Sequence, residues 1–316
     1  MEWIKKSKGT ILDIVKEQTG MSEELLLNDT TDYTYPNLDE CVDLYVKHLK
    51  LGSKIAIYGD YDADGITSLT QFNLTNKALK FTGIDTFAPR RFTDGYGINS
   101  KRIDELVKAG YKLILTVDNG IAALDAVKLA RKAGVDVIIL DHHEPVRDGK
   151  EVILPEANVI CDPHVTGGDK IYNFDDLCGA GIALHFCLKL IEIFNNISDD
   201  DKAKLTEKLY SIAAIGTVAD LVKLQFDNRR IVKRGLVAIN SGNSTKGLLK
   251  LMEVMQIESV NSSTIAFNIG PALNASGRLY DDGAQKMVEL LSFDSDADGI
   301  IEMCREAKQA NDTRKE

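Results

Sequence analysis

No apolar run in this chain of 316 residues approaches the roughly 18 residues that a membrane-spanning helix needs. The opening stretch, MEWIKKSKGTILDIVKEQTG, lacks the uninterrupted apolar core of a signal peptide. A cytoplasmic protein with no membrane partner is therefore expected. Cysteine is scarce. Cys41, Cys161, Cys178, Cys187 and Cys304 are odd in number, scattered, and form no CxxC pair. That argues against a disulfide framework and reads as free thiols in a reducing compartment. Internal repeats and low-complexity tracts are absent as well. So is an excess of basic charge: the formal net charge is −10. This weighs against a nucleic-acid partner, but only weakly. Six acidic residues sit in the motifs below, and two bound divalent cations would bring the total to about −6. Basic sets do occur at Arg90 and Arg91, Lys101 and Arg102, and Arg229, Arg230, Lys233 and Arg234. Each reads first as a solvated helix face.

What the chain does have is an alternation of short apolar runs and amphipathic segments. KIAIYG reads as a strand and SLTQFNLTNKALKFTG as a helix. IDTFAPR reads as a short strand and NSKRIDELVKAG as a helix. YKLILTVDNG, AALDAVKLARKAG and VDVIILDHHE continue the pattern as strand, helix, strand. Continuous apolar strands between helices imply an α/β fold, a parallel sheet flanked by helices. From about residue 178 the pattern turns helix-rich. GAGIALHFCLKLIEIF and LYSIAAIGTVADLV are apolar enough to be buried, and the polar gap NNISDDDKAK separates them. NRRIVKRGLVAIN and KGLLKLMEVM follow, and the charged stretch DADGIIEMCREAKQANDTRKE ends the chain as a helix with a thin apolar stripe. A polar break at 240–247 marks a boundary. The expected organisation is a helical N-terminal segment 1–50, a catalytic domain 51–240 and a helical extension 241–316.

Three predicted strands end in chemistry. Asp60, Asp62 and Asp64 follow the first in GDYDADG, Asp118 ends TVDNG, and Asp141, His142 and His143 end ILDHHE. Ligands of open α/β sheets bind at the carboxyl edge of the strands, and adjacent strands lie about 5 Å apart. Clustered carboxylates resist full ionisation unless a cation holds them. The set reads as a divalent-metal site, with Asp220 in IGTVADL as a fourth, helical contributor. Mixed oxygen and nitrogen donors suit manganese, magnesium, zinc or cobalt. An EF-hand loop is the competing reading of DYDADG, and it fails. It requires a preceding helix and a glutamate at position twelve, where Gln71 stands after a strand. The similar run DSDADG at 294–299 reaches Arg305 at that position and fails likewise. His48, His164 and His185 read as structural histidines.

GDYDADG, VDNG, DHH and GTVAD, in this order, resemble the four motifs of the DHH phosphoesterase superfamily. LPEANVICDP, LCGAGIALHF and above all FNIGPALNASGRL are similar to its RecJ branch of single-strand-specific 5′→3′ exonucleases in DNA repair and recombination. The resemblance runs from about residue 35 to the end. It implies a two-metal site loaded with Mn2+ or Mg2+. Asp62 and Asp118 would hold one ion, with Asp60 as a further candidate. Asp64, Asp118, His142 and Asp220 would hold the other, so that Asp118 bridges. His143 would face the scissile phosphate, and Asn274 and Arg278 would hold a backbone phosphate. Asp141 would orient a histidine. The implied substrate is single-stranded DNA, hydrolysed to mononucleotides by two-metal chemistry. The implied partners are a helicase, a single-strand-binding protein, or a chain that supplies missing domains. The DHHA1 and OB domains of that branch are not visible in the sequence, which reads as a fragment, a truncated gene or half of a split enzyme. Two other functions stay open: a phosphodiesterase of short oligonucleotides or cyclic dinucleotides, and a non-catalytic scaffold in a replication or repair assembly.

Overall fold

The structure, a computed structural model, describes residues 9–23, 26, 33–94, 97–168, 174–295 and 299–315. Residues 296–298, within DSDADG, lie outside them. Five strands form one parallel sheet: β1 (Ile55–Tyr58), β2 (Ile84–Phe87), β3 (Leu113–Val117), β4 (Asp136–Leu140) and β7 (Val159–Cys161), in the order β2-β1-β3-β4-β7. Every residue of β1 and β3 is buried, because both faces of the sheet are covered. Ile55, Ile57, Leu113 and Leu115 belong to one hydrophobic cluster with α2 (Leu38–Lys50), α3 (Ala63–Ala78) and α7 (Gly179–Ile193). The alternate residues Ala56, Tyr58 and Ile114 face α4 (Ser100–Lys108) and α5 (Leu124–Lys132) on the other side.

The α/β expectation holds, and register places the motifs. Tyr58 pairs with Thr116, and Val117 pairs with Leu140. β1, β3 and β4 are neighbours and run parallel, so their acidic C-terminal ends meet at one edge.

Several boundaries differ from the sequence reading. Helix α3 begins at Ala63 rather than Ser68, because the Asp62 side chain caps it by accepting from the backbone N–H groups of Asp64 and Gly65. Asp64 is thus a first-turn helical residue. Helix α8 spans Asp199–Ala219 and takes in more than half of the expected polar gap. Ser198 caps it, and Asp199, Asp200 and Asp201 complement its N-terminal dipole. The short strand β7 and the hairpin β5 (Val146–Asp148) with β6 (Glu151–Ile153) carry no periodic signal long enough to read. Among the described residues the first part of the chain also has the small helices α1 (Ile11–Thr19) and α6 (Pro163–Thr166).

Helices α9 (Phe226–Asn240), α10 (Lys246–Val254), α11 (Ser262–Thr264), α12 (Gly270–Leu279), α13 (Gly283–Ser292) and α14 (Ile300–Lys315) complete the helix-rich part. A π-helical turn, Ile265–Ile269, joins α11 to α12. Leu248, Leu251, Leu290 and Ile300 fall in the same buried cluster as Leu69 of α3 and Ile212 of α8. The thin stripe of α14 is buried at Ile300, Cys304, Ala307 and Ala310. One basic residue departs from its reading. Arg230 is not on a solvated face; its side chain is 10% exposed and lies on the fully buried Asp227. Among the described residues no helix is long and apolar enough to cross a membrane.

Candidate metal centre and active site

The edge of β1, β3 and β4 gathers the acids. Asp118 directly follows β3 with φ +60, a left-handed conformation that aspartate tolerates better than most residues. Its backbone N–H donates to the Leu140 carbonyl at 2.9 Å, which fixes the turn to β4. Asn119 donates through Nδ2 to the carbonyls of Tyr58 and Val117 and ties the ends of β1 and β3 together. Asp64 lies across the gap at the start of α3. Its two oxygens accept from Gly179 N at 2.7 Å and Ala180 N at 2.8 Å, at the positive N-terminus of α7. Asp220 arrives from the C-terminus of α8. His142 lies between these groups. Its Nε2 is 3.1 Å from Asp118 Oδ1 and 3.5 Å from Asp64 Oδ2, and its Nδ1 is 3.9 Å from Asp220 Oδ2. His143 donates through Nδ1 to Asp141 Oδ1 at 2.7 Å. A cavity of about 520 Å³ opens beside it, lined by Gly97, Ile98, Asn119, Ile121 and Glu144 among others.

The electrostatics divide these residues into two kinds. Burial, then the neighbouring Asp62 charge, pushes Asp60 up to about 7. Burial and Asp64 push Asp220 up to about 8 and raise Asp62. Burial, then Asp64, Asp62 and Asp60, drives Asp118 well above the carboxylate range. His142 is pushed down by burial and so favours the neutral form that ligates metals. Asp141 behaves oppositely. Burial raises it, but the His143 hydrogen bond and charge, with the Ile121 N–H, outweigh that and its pKa falls. His143 is pushed up to about 9, chiefly by the Asp141 hydrogen bond.

Such a cluster is poorly compensated by the protein itself, and it fits divalent cations. Asp118 Oδ2 is buried without a hydrogen-bond partner. Three groups each bring one ligand atom per residue within 4.8 Å of one another: Asp60, Asp62 and Asp118; Asp118, His142 and His143; and Asp64, Cys178 and Asp220. Asp118 belongs to two of them.

The GPALNASGRL segment forms α12 and is docked against the acidic loop. Asn274 Oδ1 accepts from Ala63 N at 2.7 Å. A Cβ on Gly277 would lie 2.2 Å from the Tyr61 carbonyl oxygen, so only glycine permits this approach. Asn274 thus spends its carbonyl on holding the loop. Arg278 is exposed in the last turn of α12, one residue beyond that contact.

The DHH family, N-terminal domain, matches residues 54–217, just over half of the chain. The chain belongs to the DHH family. It is 37% identical over 279 residues to the single-stranded-DNA-specific exonuclease RecJ of Bacillus subtilis, covering 88% of this chain and 33% of that protein. A solved structure of exonuclease RecJ bound to manganese is 30% identical with a TM-score of 0.76, covering 90% of this chain and 68% of that one. RecJ from Thermus thermophilus in complex with Mn2+ is 27% identical with a TM-score of 0.78, covering 96% of this chain and 42% of that one. The chain spans 33% to 48% of the length of the first curated relatives it matches.

Within this DHH chain, sequence reasoning missed three contributors. Gly179 and Gly216 make room for the acids. A Cβ on Gly179 would lie 2.9 Å from both Asp64 Oδ2 and Asp118 Oδ1, and one on Gly216 would lie 2.8 Å from Asp64 Oδ1. Cys178, read as one of five unremarkable thiols, sits in an acid group. LCGAG and GTVAD contain all three, but their roles depend on α7 and α8 meeting α3, which no local spacing encodes.

Proposed function

We propose that this chain is the catalytic core of a metal-dependent phosphodiesterase of the RecJ type that hydrolyses single-stranded DNA from the 5′ end to mononucleotides. One observation carries the reading: carboxylates from two strand ends, α3 and α8 converge with His142 around Asp118, whose Oδ2 has no protein partner. Asp62 and Asp118, with Asp60, would hold one cation, and Asp64, Asp118, His142 and Asp220 would hold the other. Oxygen-rich donors with one imidazole suit manganese or magnesium. When bound, two such ions supply Lewis-acid stabilisation of both oxygens of a displacement and lower the pKa of water.

The chain's own residues supply the rest. His143, held protonated by Asp141, offers a charged donor to a non-bridging phosphate oxygen. Asn274 holds the acidic loop, and Arg278, exposed in the last turn of α12, is the proposed backbone-phosphate contact. Cys178 is no nucleophile, because burial pushes its thiol far up. Backbone contacts carry little sequence information, so weak base specificity is expected.

The test is manganese-dependent digestion of a single-stranded oligonucleotide labelled at either end, beside a dinucleotide and an Asp118→Ala control. Mononucleotide release from the 5′ end, lost in the variant, is expected. Equal digestion by Asp118→Ala overturns the metal centre. Turnover of the dinucleotide alone assigns the core to short substrates instead.

A further inference from the structure

Two large rings stand in solvent where the turn after β2 meets the end of α12. Phe92 is 70% exposed and Tyr280 is 40% exposed. Asp281 brings these distant segments together. Its Oδ1 accepts from Phe92 N at 2.8 Å, and its backbone carbonyl accepts from Arg91 N at 3.2 Å. Its Oδ2 accepts from the Thr93 hydroxyl at 3.5 Å. Gln285 of α13 accepts from Ala88 N at 3.0 Å, so the turn is pinned to the junction of α12 and α13. Asp94 holds the same turn from within, accepting from Arg90 N and from the Arg102 guanidinium of α4. A ring presented outward by so firmly held a backbone adds little burial to the fold. The charges beside it are of one sign. Arg90 and Arg278 are exposed, and neither enters an ion pair among the described residues. The nearby acids are engaged: Asp281 by the turn, Asp94 by Arg102 at 2.6 Å, and Asp282 by Lys286 at 3.7 Å. Arg91 lies over the Tyr61 ring, 4.7 Å from its centroid, and Tyr61 stands between Asp60 and Asp62. The patch is thus continuous with the acidic loop.

We propose that Phe92 and Tyr280 form a stacking platform for bases of single-stranded DNA beside the metal centre, with Arg90 and Arg278 on the phosphates and Asp281 as the positioning residue. The proposal rests on the single-strand reading of the site and adds to it the surface that grips the bases. Proteins that hold single strands without reading sequence combine aromatic rings with a cationic track, because every base has a π-face. Exposed rings flanked by guanidiniums are that combination. Charge favours this occupant: the chain carries −10 overall, yet the groups left without an ion pair here are arginines. A duplex keeps its base faces stacked inside, so the platform also favours single strands over paired ones.

The experiment measures binding by fluorescence anisotropy, with Ca2+ in place of Mn2+ and intact probe confirmed on a gel. The probes are a labelled oligo-dT strand and a strand of equal length made of base-free sugars. Wild type should bind oligo-dT at least about tenfold more tightly than the base-free strand. So should Leu51→Ala, which alters a residue 67% exposed before the start of β1. Phe92→Ala should lose about tenfold on oligo-dT and nothing on the base-free strand, and Phe92→Trp should restore the difference. Asp281→Ala should reproduce the loss, whereas Asp281→Asn, which keeps the acceptor for Phe92 N, should not. Arg90→Gln should weaken both strands and reduce the salt slope by about 0.7. A 2-aminopurine base in a strand bound to wild type, which requires no variant, should be quenched by stacking. Equal wild-type affinity for the two strands, an equal loss on both in Phe92→Ala, or an unquenched probe each overturns the proposal. Dimerisation through Phe92 without binding of either strand overturns it in favour of a protein-docking face. Turnover of a dinucleotide by a wild type that binds neither strand overturns the single-strand reading itself, and the platform with it.

Discussion

Asp118 and Asp227 are equally dry, at 1% and 0% exposure, and they are surrounded by opposite company. Around Asp227, Arg230 donates to Oδ1 through Nε at 2.9 Å and Nη2 at 2.6 Å. Tyr35 donates its hydroxyl to Oδ2 at 3.1 Å, and His185 Nε2 meets the same oxygen. Burial opposes ionisation of Asp227, yet His185 and Arg230 outweigh it and the pKa is lowered. Around Asp118 lie Asp64, Asp62, Asp60 and Asp141, and burial together with their charges raises it strongly. Burial alone therefore does not decide the charge of a carboxylate in this protein; the neighbours do. The Asp227 region is completed from within and serves the fold. The Asp118 region brings carboxylates together with no arginine or lysine among its described charged neighbours, as the proposed cation site requires.

The comparison breaks most visibly at Asp118 itself. Asp118→Asn should abolish manganese-dependent turnover and at the same time raise the melting temperature of the metal-free protein, because a repelled buried charge is removed. A lowered melting temperature with EDTA present would show that the cluster is internally balanced after all. Asp227→Asn should do the reverse. Breaking a buried, hydrogen-bonded pair costs about 3–5 kcal/mol, read by urea unfolding, while Mn2+ affinity stays unchanged. Loss of Mn2+ affinity in that variant would tie the two regions together. Gly216→Ala comes next in size. Its new methyl would meet Thr67 Oγ1 and Ala180 Cβ as well as Asp64, and overpacking of this kind costs about 1–3 kcal/mol. Isothermal titration should show weaker Mn2+ binding in proportion to the displacement of Asp64.

The most diagnostic effect is that of pH. Asp60 and Asp220 rise from 3.8 to about 7 and about 8 in the folded, metal-free protein. The folded state then binds more protons than the unfolded one between these limits, so stability falls as pH rises from about 4 to about 8. Mn2+ should restore more stability at pH 8 than at pH 5. Asp227 has a lowered pKa, so its contribution is present above the ordinary carboxylate range and is lost as pH falls below it. Melting curves with EDTA and with Mn2+ across this range check both signs. A flat metal-free profile above pH 5 would remove the contrast.

Much of the fold and of the site is legible in local sequence. The runs before Asp60, Asp118 and Asp141 read as strands because nearly every residue in them is apolar or β-branched, and a buried parallel sheet demands that. The EF-hand reading is excluded by the strand preceding DYDADG, and β1 is that strand. His48 and His185 read as structural, and they bond Ser53 with Asp136, and Asp227, respectively. The start of α3 is misplaced because an aspartate that caps a helix looks, in sequence, like part of a loop. The start of α8 is misplaced for a similar reason: three consecutive aspartates resemble a linker, but they sit at a helix N-terminus. Arg230 reads as solvated because its partner Asp227 is buried by tertiary contacts, among them Tyr35, 192 residues away.

The sequence alone determined the parallel sheet and which strand ends carry acids and imidazoles, because strand period and terminal chemistry are local properties. Only the tertiary structure decided that the two oxygens of Asp64 rest on the N-terminus of α7, 115 and 116 residues away. It also decided that Cys178 joins the acids, and that Asp227 is satisfied where Asp118 is not. These outcomes depend on which distant helices pack against α3, and a spacing along the chain carries no information about partners that meet only in the folded core.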